Sequence, residues 1–201
     1  MILGSMVLAG GRSDRMGRSK PDLPWGDGSL LLHTVQTLLD CTHPVVVVAR
    51  DDHQELPPLH TESELIFDPR PGEGPLQAVE AGMRFVTGKC DAVFVAGCDL
   101  PFLDSTVVGR LFGLLGDKNA VIPTLDGKPQ PLCAIYSNKL LPKISALVQR
   151  GERRAQALCE LEGVRILTAD ELRALDPRQR FCRDVDTPED YQRALADAGL
   201  K

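Results

Sequence analysis

Residues 5–20 read SMVLAGGRSDRMGRSK. The apolar run at 6–8 ends in two glycines, and the segment after them carries four cationic side chains: Arg12, Arg15, Arg18 and Lys20. An apolar run bounded by glycine predicts a buried strand, and adjacent glycines let the backbone turn closely. Such a turn presents backbone N–H groups to an anion, and arginine and lysine suit phosphate oxygens. The stretch therefore predicts a phosphate-binding loop behind a first buried strand.

Two common nucleotide-binding motifs do not fit this loop. The dinucleotide fingerprint G-x-G-x-x-G fails because Gly10 and Gly11 are adjacent and the next glycine is Gly17. The Walker A motif fails because residues 18–20 read Arg-Ser-Lys where Lys-Ser/Thr is required. A surface turn with solvated arginines therefore stays open as the alternative to a phosphate site.

Composition restricts the class of protein. The 201 residues fit one α/β domain over 1–201, and a formal charge of -5 argues against a general nucleic-acid binder. No apolar run approaches the roughly 20 residues that span a bilayer, and the first residues lack the basic region of a signal peptide. We therefore expect a cytoplasmic protein with no nucleic-acid or membrane partner.

The cysteines and histidines are not spaced as metal ligands. Six cysteines are scattered without a C-x-x-C pair, and the four histidines show no ligand spacing. Most of the cysteines stand beside apolar residues, where thiols behave as small hydrophobic groups. We expect buried free thiols and no zinc site.

The rest of the chain alternates apolar runs with helical patterns. Five further runs predict strands: 45–48, 65–67, 92–96, 120–123 and 130–136. The run at 45–48 is β-branched throughout, which is typical of a strand covered on both faces, and Ser29 is placed to cap the helix before it. Because the turn signal Asp126-Gly127 separates the last two runs, they are expected to form a small antiparallel excursion in an α/β fold.

Three aspartates follow predicted strands. Asp99 comes after the run at 92–96, at the carboxyl edge where open α/β sheets bind ligands. Mg²⁺ usually takes one or two protein carboxylates and leaves its other positions to water and phosphate, so Asp99 is the leading metal candidate. Asp184 and Asp186 are predicted to lie on one face of a strand that starts at Phe181. One of them is expected to be a second magnesium ligand or to bind the acceptor.

Two more loops carry candidate binding groups. Gly74, Pro75 and Leu76 open a helix, where N–H groups can meet an anion or a base edge, although a plain βα turn gives the same pattern. Arg153 and Arg154 follow a glycine that breaks a helical pattern. They suit an acceptor phosphate, and a solvated turn after a helix C-cap explains them equally well.

The chain resembles the molybdopterin nucleotidyltransferases, and the guanylyltransferases among them most. The matching pieces occur in the family's order: LAGGRSDRMG with Lys20, Asp68, GEGPLQA, AGCDLP, GERR and DVDTPED. The resemblance implies a Rossmann-like three-layer sandwich, with a mostly parallel sheet between two layers of helices. It also implies that a nucleoside triphosphate lies across the first loop and that Mg²⁺ assists attack by an acceptor phosphate.

By matching position, the resemblance assigns roles to single residues. Lys20 and Arg12 would contact the phosphates, and Asp99 would bind Mg²⁺, which makes these three the expected catalytic residues. The implied nucleotide-binding set is Leu8, Ala9, Gly10, Gly11, Lys20, Asp68, Gly74, Pro75, Leu76 and Asp99. Asp186 is the second candidate for the metal. The residues expected to bind the acceptor are Arg153, Arg154 and Asp184.

The reaction implied is transfer of GMP from GTP to the terminal phosphate of molybdenum-bearing molybdopterin, with release of pyrophosphate. Transient contact with molybdenum-insertion proteins or molybdoenzymes is implied as well. Cytidylyl transfer to the same cofactor stays open, because Ala49, Asp184 and Asp186 depart from the guanylyl pattern. Further alternatives are a sugar-phosphate or polyol-phosphate nucleotidyltransferase and a catalytically idle nucleotide-binding partner, although retention of Lys20 and Asp99 argues against the last.

Overall fold

The structure is a computed structural model that describes residues 1–11 and 16–200. Its strands are β1 (Leu3–Leu8), β2 (Pro24–Trp25), β3 (Gly28–Ser29), β4 (Val45–Ala49), β5 (Ser63–Phe67), β6 (Ala92–Gly97), β7 (Ala120–Ile122), β8 (Thr124–Leu125), β9 (Lys128–Pro129), β10 (Cys133–Ser137) and β11 (Val164–Ile166). Its α-helices are α1 (Leu30–Leu39), α2 (Pro75–Val86), α3 (Ser105–Gly113), α4 (Leu141–Gln149), α5 (Ala169–Leu175) and α6 (Pro188–Ala198). Short 3₁₀ turns lie at Lys20–Asp22, Asn138–Leu140 and Ala155–Glu160.

One mixed sheet organises the chain, with seven strands in the order β11-β7-β10-β6-β1-β4-β5. Every neighbouring pair is parallel except the two that involve β10, which runs antiparallel to β6 and to β7. Two small hairpins, β2 with β3 and β8 with β9, lie outside this sheet. The predicted α/β fold with a mostly parallel sheet and a small antiparallel excursion is confirmed.

Strand β4 shows why the sheet has helices on both faces. All of its residues are buried, and alternate side chains enter different apolar clusters. Val45 and Val47 belong to the cluster that also contains residues of α1 and α3, whereas Val46 and Val48 belong to the cluster that also contains residues of α2 and α4. Because side chains alternate across a strand, a continuous valine run fills both layers, and each buried valine contributes roughly 1.5–3 kcal/mol. The three-layer arrangement follows from this pattern.

Side chains cap three of the helices, and the cap predicted at Ser29 is one of them. The Ser29 hydroxyl accepts a hydrogen bond from the Leu32 N–H at the start of α1. Asp104 caps α3, with its Oδ1 accepting from Thr106 and Val107 at 2.8 and 3.1 Å. Thr187 and Asp190 form a capping box at α6. Since Asp104 caps α3, Asp99 is not required for that purpose.

The strand predicted over residues 181–186 is wrong. This segment has no strand structure, because the Asp176 carboxylate accepts hydrogen bonds from the N–H groups of Arg180 and Phe181 at 2.6 and 2.7 Å and curls the chain. Downstream, the Val185 N–H donates to the Asp99 carbonyl at 3.0 Å. The segment therefore crosses the loop after β6 instead of extending the sheet.

No helix in the described ranges is long and apolar enough to cross a membrane. The prediction of a single domain over residues 1–201 stays a prediction.

Candidate active site

The loops that follow β1 and β6 leave the sheet side by side. Leu8 pairs with Gly97 at the carboxyl ends of these adjacent parallel strands, and the Cys98 N–H donates to the Leu8 carbonyl at 3.2 Å. The chain continues from β1 to β4 on one side, while β6 lies on the other side. Such a switch point opens the crevice in which α/β sheets bind ligands. The first glycine loop and the loop that holds Asp99 therefore flank one crevice.

The two adjacent glycines of the first loop have different surroundings. A Cβ atom at Gly10 would lie 3.0 Å from the backbone N and Cα of Arg50, whereas a Cβ at Gly11 would meet nothing within 4 Å. Close approach of two backbones thus requires glycine at position 10 only.

Ala9 is already engaged by the protein. Its N–H donates to the Val48 carbonyl at 2.9 Å, its carbonyl accepts from Gln54 Nε2 at 2.8 Å, and its side chain is buried. A nucleotide contact at Ala9 stays a prediction, and it would have to use the second lone pair of that carbonyl.

Lys20 binds two carboxylates from distant parts of the chain. Its Nζ donates to Asp99 Oδ2 at 2.7 Å and to Asp186 Oδ1 at 2.6 Å. These partners lie 79 and 166 residues away in sequence. The exposed fractions of the side chains are 15% for Lys20, 21% for Asp99 and 37% for Asp186. We refer to these three residues as the lysine cluster.

Electrostatics keep the Lys20 side chain charged. Partial burial acts to lower the pKa of Lys20, but the charges and hydrogen bonds of Asp99 and Asp186 outweigh burial and raise the pKa above its ordinary value of 10.5. The pKa of nearby Asp184 is raised, because neighbouring atoms desolvate its carboxyl and because Asp99 and Asp186 add like charge. Although Asp184 keeps exposed surface, it belongs to the same acidic surroundings.

The donor set of the lysine cluster fits a divalent cation. Two carboxylates converge on one ammonium group, so this position already holds a positive charge. Within residues 1–11 and 16–200, no group of three or more His, Cys, Asp or Glu side chains is arranged to hold a metal ion. Mg²⁺ bound to a triphosphate needs one or two carboxylates only, which Asp99 and Asp186 can supply.

The second predicted nucleotide loop packs against the Arg153 backbone. Gly74 has φ +99°, and a Cβ there would lie 2.6 Å from the Arg153 carbonyl oxygen. That same oxygen accepts from the Leu76 N–H at 3.3 Å, and the Leu76 side chain is fully buried. The structure thus brings Gly74, Pro75 and Leu76 against a predicted acceptor residue, while their contacts with a nucleotide stay a prediction.

The two predicted acceptor arginines are held locally by Glu152. Glu152 Oε1 accepts from the backbone N–H groups of Arg153 and Arg154, both at 2.9 Å. The Arg154 guanidinium also binds Glu152 through Nε at 3.1 Å and Nη2 at 2.9 Å. These bonds lower the pKa of Glu152 to about 2, and the Arg154 side chain stays 78% exposed. This exposed pair is compatible with both predictions for the arginines: contact with an acceptor phosphate, and a solvated turn after a helix C-cap.

Asp68 lies at the carboxyl edge too, two strands away from β1. Its N–H donates to the Ala49 carbonyl at 2.8 Å, and its Oδ1 accepts from the Arg70 N–H at 2.9 Å. Partial desolvation raises the pKa of Asp68. Arg12, one of the three expected catalytic residues, lies outside the described residues, as does Arg15.

One feature near the site was missed from the sequence. Gln54 contacts the first loop through Ala9, but residues 51–63 read as a surface connection rich in proline and charge. Only the placement of β4 beside β1 shows that the turn after β4 reaches this loop.

A cavity of about 340 Å³ lies between the start of α3 and the segment after α5. It is lined by Phe102, Asp104, Val107, Leu175, Asp176, Pro177, Arg178, Arg180 and Phe181. The Arg180 guanidinium lies 4.5 Å from the centre of the Phe102 ring. None of the predicted site residues in the described ranges lines this cavity, so it is separate from the lysine cluster.

Comparisons with known proteins cover nearly the whole chain. The family model described as MobA-like NTP transferase domain matches residues 5–166. A probable molybdenum cofactor guanylyltransferase of Mycolicibacterium paratuberculosis is 34% identical over 202 residues, which cover 98% of this chain and 97% of the relative. A protein of the same description from Carboxydothermus hydrogenoformans is 29% identical over 196 residues, with coverage of 97% and 96%.

Among solved structures, the molybdopterin-guanine dinucleotide biosynthesis protein A of Archaeoglobus fulgidus has a TM-score of 0.80 to this chain. The two are 24% identical, and 98% of each chain is covered. This likeness supports the fold.

Proposed function

The chain belongs to the MobA-like NTP transferase family, and on that premise we propose that it transfers GMP from GTP to the terminal phosphate of molybdenum-molybdopterin. Pyrophosphate is the second product, and the guanine dinucleotide form of the cofactor is the first. The names of two nearly full-length relatives support guanine as the base and the molybdenum cofactor as the acceptor.

The observation that carries this proposal is the lysine cluster at the switch point between β1 and β6. A half-buried ammonium held by two carboxylates stands where the first glycine loop and the loop after β6 meet. Removing charged groups from water is unfavourable unless they are paired with opposite charges. A partly buried cluster of paired charges at a crevice is typical of a functional site.

The proposed reaction requires positioning and charge neutralisation rather than a covalent intermediate. An oxygen of the acceptor phosphate attacks the α-phosphorus of GTP, and the bond from that phosphorus to the bridging oxygen breaks as pyrophosphate leaves. The N–H groups of Gly10 and Gly11 would bind phosphate oxygens, and Lys20 would neutralise their charge. Burial raises the pKa of the adjacent Cys98 thiol, which keeps it protonated and unsuited to nucleophilic attack.

Asp99 and Asp186 would hold Mg²⁺ in the working enzyme. The metal, when bound, would supply neutralisation of the triphosphate charge. Because both carboxylates contact Lys20, Lys20 would give up part of these contacts as its ammonium turns to the phosphates.

The test is pyrophosphate release from the purified chain with molybdenum-molybdopterin, Mg²⁺ and either GTP or CTP. The proposal predicts release with GTP and little with CTP. Release with CTP alone would assign the chain to cytidylyl transfer. Release with neither nucleotide would contradict transfer to this cofactor. If GTP then still raised the thermal stability, the chain would bind the nucleotide without transferring it.

A further inference from the structure

The Gln54 side chain joins the turn after β4 to the first glycine loop. Its Oε1 accepts from the Arg50 N–H at 2.6 Å, and its Nε2 donates to the Ala9 carbonyl at 2.8 Å. The second bond spans 45 residues of sequence. One half-buried amide therefore satisfies two backbone groups that directly follow the neighbouring strands β1 and β4.

These two backbone groups would pair directly in a regular ladder. The Ala9 N–H binds the Val48 carbonyl, so continued parallel pairing would place the Arg50 N–H on the Ala9 carbonyl. The Gln54 amide instead stands between them. It ends the ladder one residue early and pairs with both the Arg50 N–H and the Ala9 carbonyl.

The inserted amide fixes the direction of the Gly10 N–H. In a planar trans peptide, this N–H points opposite to the Ala9 carbonyl, which Gln54 holds toward the β4 side. The Gly10 N–H therefore points toward the β6 side, as the Leu8 carbonyl does where it accepts from Cys98. The lysine cluster lies on that side, through Asp99.

The supporting turn is itself held in place. The Arg50 Nε donates to Asp51 Oδ2 at 2.7 Å, and Asp51 Oδ1 accepts from the His53 N–H at 3.0 Å. Gly10 packs directly on the Arg50 backbone, since a Cβ there would lie 3.0 Å from the Arg50 N and Cα. A shift of Gln54 would therefore move the Arg50 backbone against Gly10.

We propose that Gln54 is a positioning residue for the nucleoside triphosphate. By holding the Ala9 carbonyl, it directs the Gly10 N–H into the crevice shared with Lys20 and Asp99. The role rests on the proposed function, since it presumes that the first loop receives the triphosphate.

The test compares the wild type with Gln54→Met, which keeps the length of the side chain and removes both hydrogen bonds. Without these two bonds the Ala9–Gly10 peptide is no longer held and can rotate, so the Gly10 N–H loses its fixed direction. Thermal unfolding should change little, because the pairing of β1 with β4 is kept. Affinity for GTP with Mg²⁺, measured by calorimetric titration, should fall about tenfold. KM for GTP should rise, and KM for the acceptor should stay unchanged. Gln36→Met on the exposed face of α1 is the matched control.

A second variant, Gln54→Glu, and a double-mutant cycle between positions 54 and 10 distinguish positioning from a purely structural effect. Gln54→Glu keeps an acceptor for the Arg50 N–H and loses the donor to Ala9, so it should weaken GTP binding at least as much as Gln54→Met. Because Gln54 acts on the Ala9–Gly10 peptide, the losses caused by Gln54→Met and Gly10→Ala should combine to less than their product.

Equal GTP affinity in the wild type and in both Gln54 variants would contradict the positioning role and leave the proposed reaction intact. If the losses of GTP affinity in the two single variants multiply fully in the double variant, Gln54 does not act through Gly10. Failure of the wild type to bind GTP or CTP would contradict both the role and the proposed function.

Discussion

The lysine cluster and the Glu152–Arg154 pair both contain ion pairs of predicted site residues, yet they differ in sequence separation and in exposure. The cluster joins elements that are 79 and 166 residues apart in sequence, and its lysine is 15% exposed. The pair joins residues two positions apart, and its arginine is 78% exposed.

This difference indicates which charged residues of a candidate site are expected to contribute to catalysis. An exposed local pair contributes about 0–1 kcal/mol and forms wherever two long side chains stand close together. A half-buried cation between carboxylates must offset a much larger desolvation penalty, and it is sustained by the fold around it. We therefore expect the catalytic power to lie in the lysine cluster and at most a binding contribution in the pair.

The largest expected effect comes from Asp99→Asn. The change removes a negative charge from the proposed metal site while keeping the side-chain shape, so turnover should fall on the order of 10²–10³-fold. Steady-state pyrophosphate release checks this. Asp104→Asn is the control, because asparagine caps a helix as well as aspartate does, and it should retain turnover. Undiminished turnover in Asp99→Asn would remove Asp99 from the mechanism.

Lys20→Met should strengthen metal binding and weaken turnover. Loss of the ammonium removes the cation that Asp99 and Asp186 share, so nucleotide-free Mn²⁺ should bind about tenfold more tightly than in the wild type. Turnover should fall in parallel, because the phosphates lose a cation. Electron paramagnetic resonance of free Mn²⁺ measures the first effect. Lys143→Met, in an exposed pair with Glu162, should change neither, and unchanged Mn²⁺ binding in Lys20→Met would place the metal elsewhere.

A smaller effect is expected from Arg154→Ala. If the arginine binds the acceptor phosphate, KM for the acceptor rises no more than about tenfold, and the affinity for GTP stays constant. Arg173→Ala removes another exposed arginine that is paired with an aspartate, Asp170, and it should change neither quantity. If turnover fell as much in Arg154→Ala as in Asp99→Asn, the pair would contribute to catalysis as strongly as the lysine cluster, which contradicts the account.

The smallest effects are in the pH dependence of stability, and they have opposite signs at the two sites. The pKa of Glu152 is lowered to about 2 from 4.5, so its contribution is present above pH 4.5 and is lost as the pH falls toward 2. The pKa of Lys20 is raised above 10.5, so its contribution is present below pH 10.5 and is lost as the pH rises beyond the folded pKa.

Urea unfolding across pH measures both contributions. Glu152→Gln should flatten the acid side of the stability profile only, and Lys20→Met the alkaline side only. A change on the same side in both variants would contradict the assigned directions.

The sequence predicted those parts of the fold and site that depend on local pattern. The valine run at 45–48 indicated a buried strand, and an aspartate three residues after the apolar run at 92–96 indicated the carboxyl edge at Asp99. The strand at 181–186 was wrong because a carboxylate upstream of it, Asp176, curls the backbone. Alternation alone does not reveal such a bond.

Register and long-range pairing explain what the sequence did not reveal. Lys20 and Asp99 were assigned separately to phosphate and metal, and nothing in their spacing indicated that they bind each other. Gln54 was missed for the same reason, since its partner Ala9 becomes its neighbour only when β4 pairs with β1.

The most direct test of the central claim is a crystal structure of this chain soaked with GTP and Mn²⁺, with the metal located by anomalous scattering. The account predicts Mn²⁺ bound directly by the Asp99 carboxylate, with the triphosphate between the Gly10 N–H and Lys20. A metal away from Asp99, or GTP seated in the cavity beside Phe102 and Arg180, would contradict it.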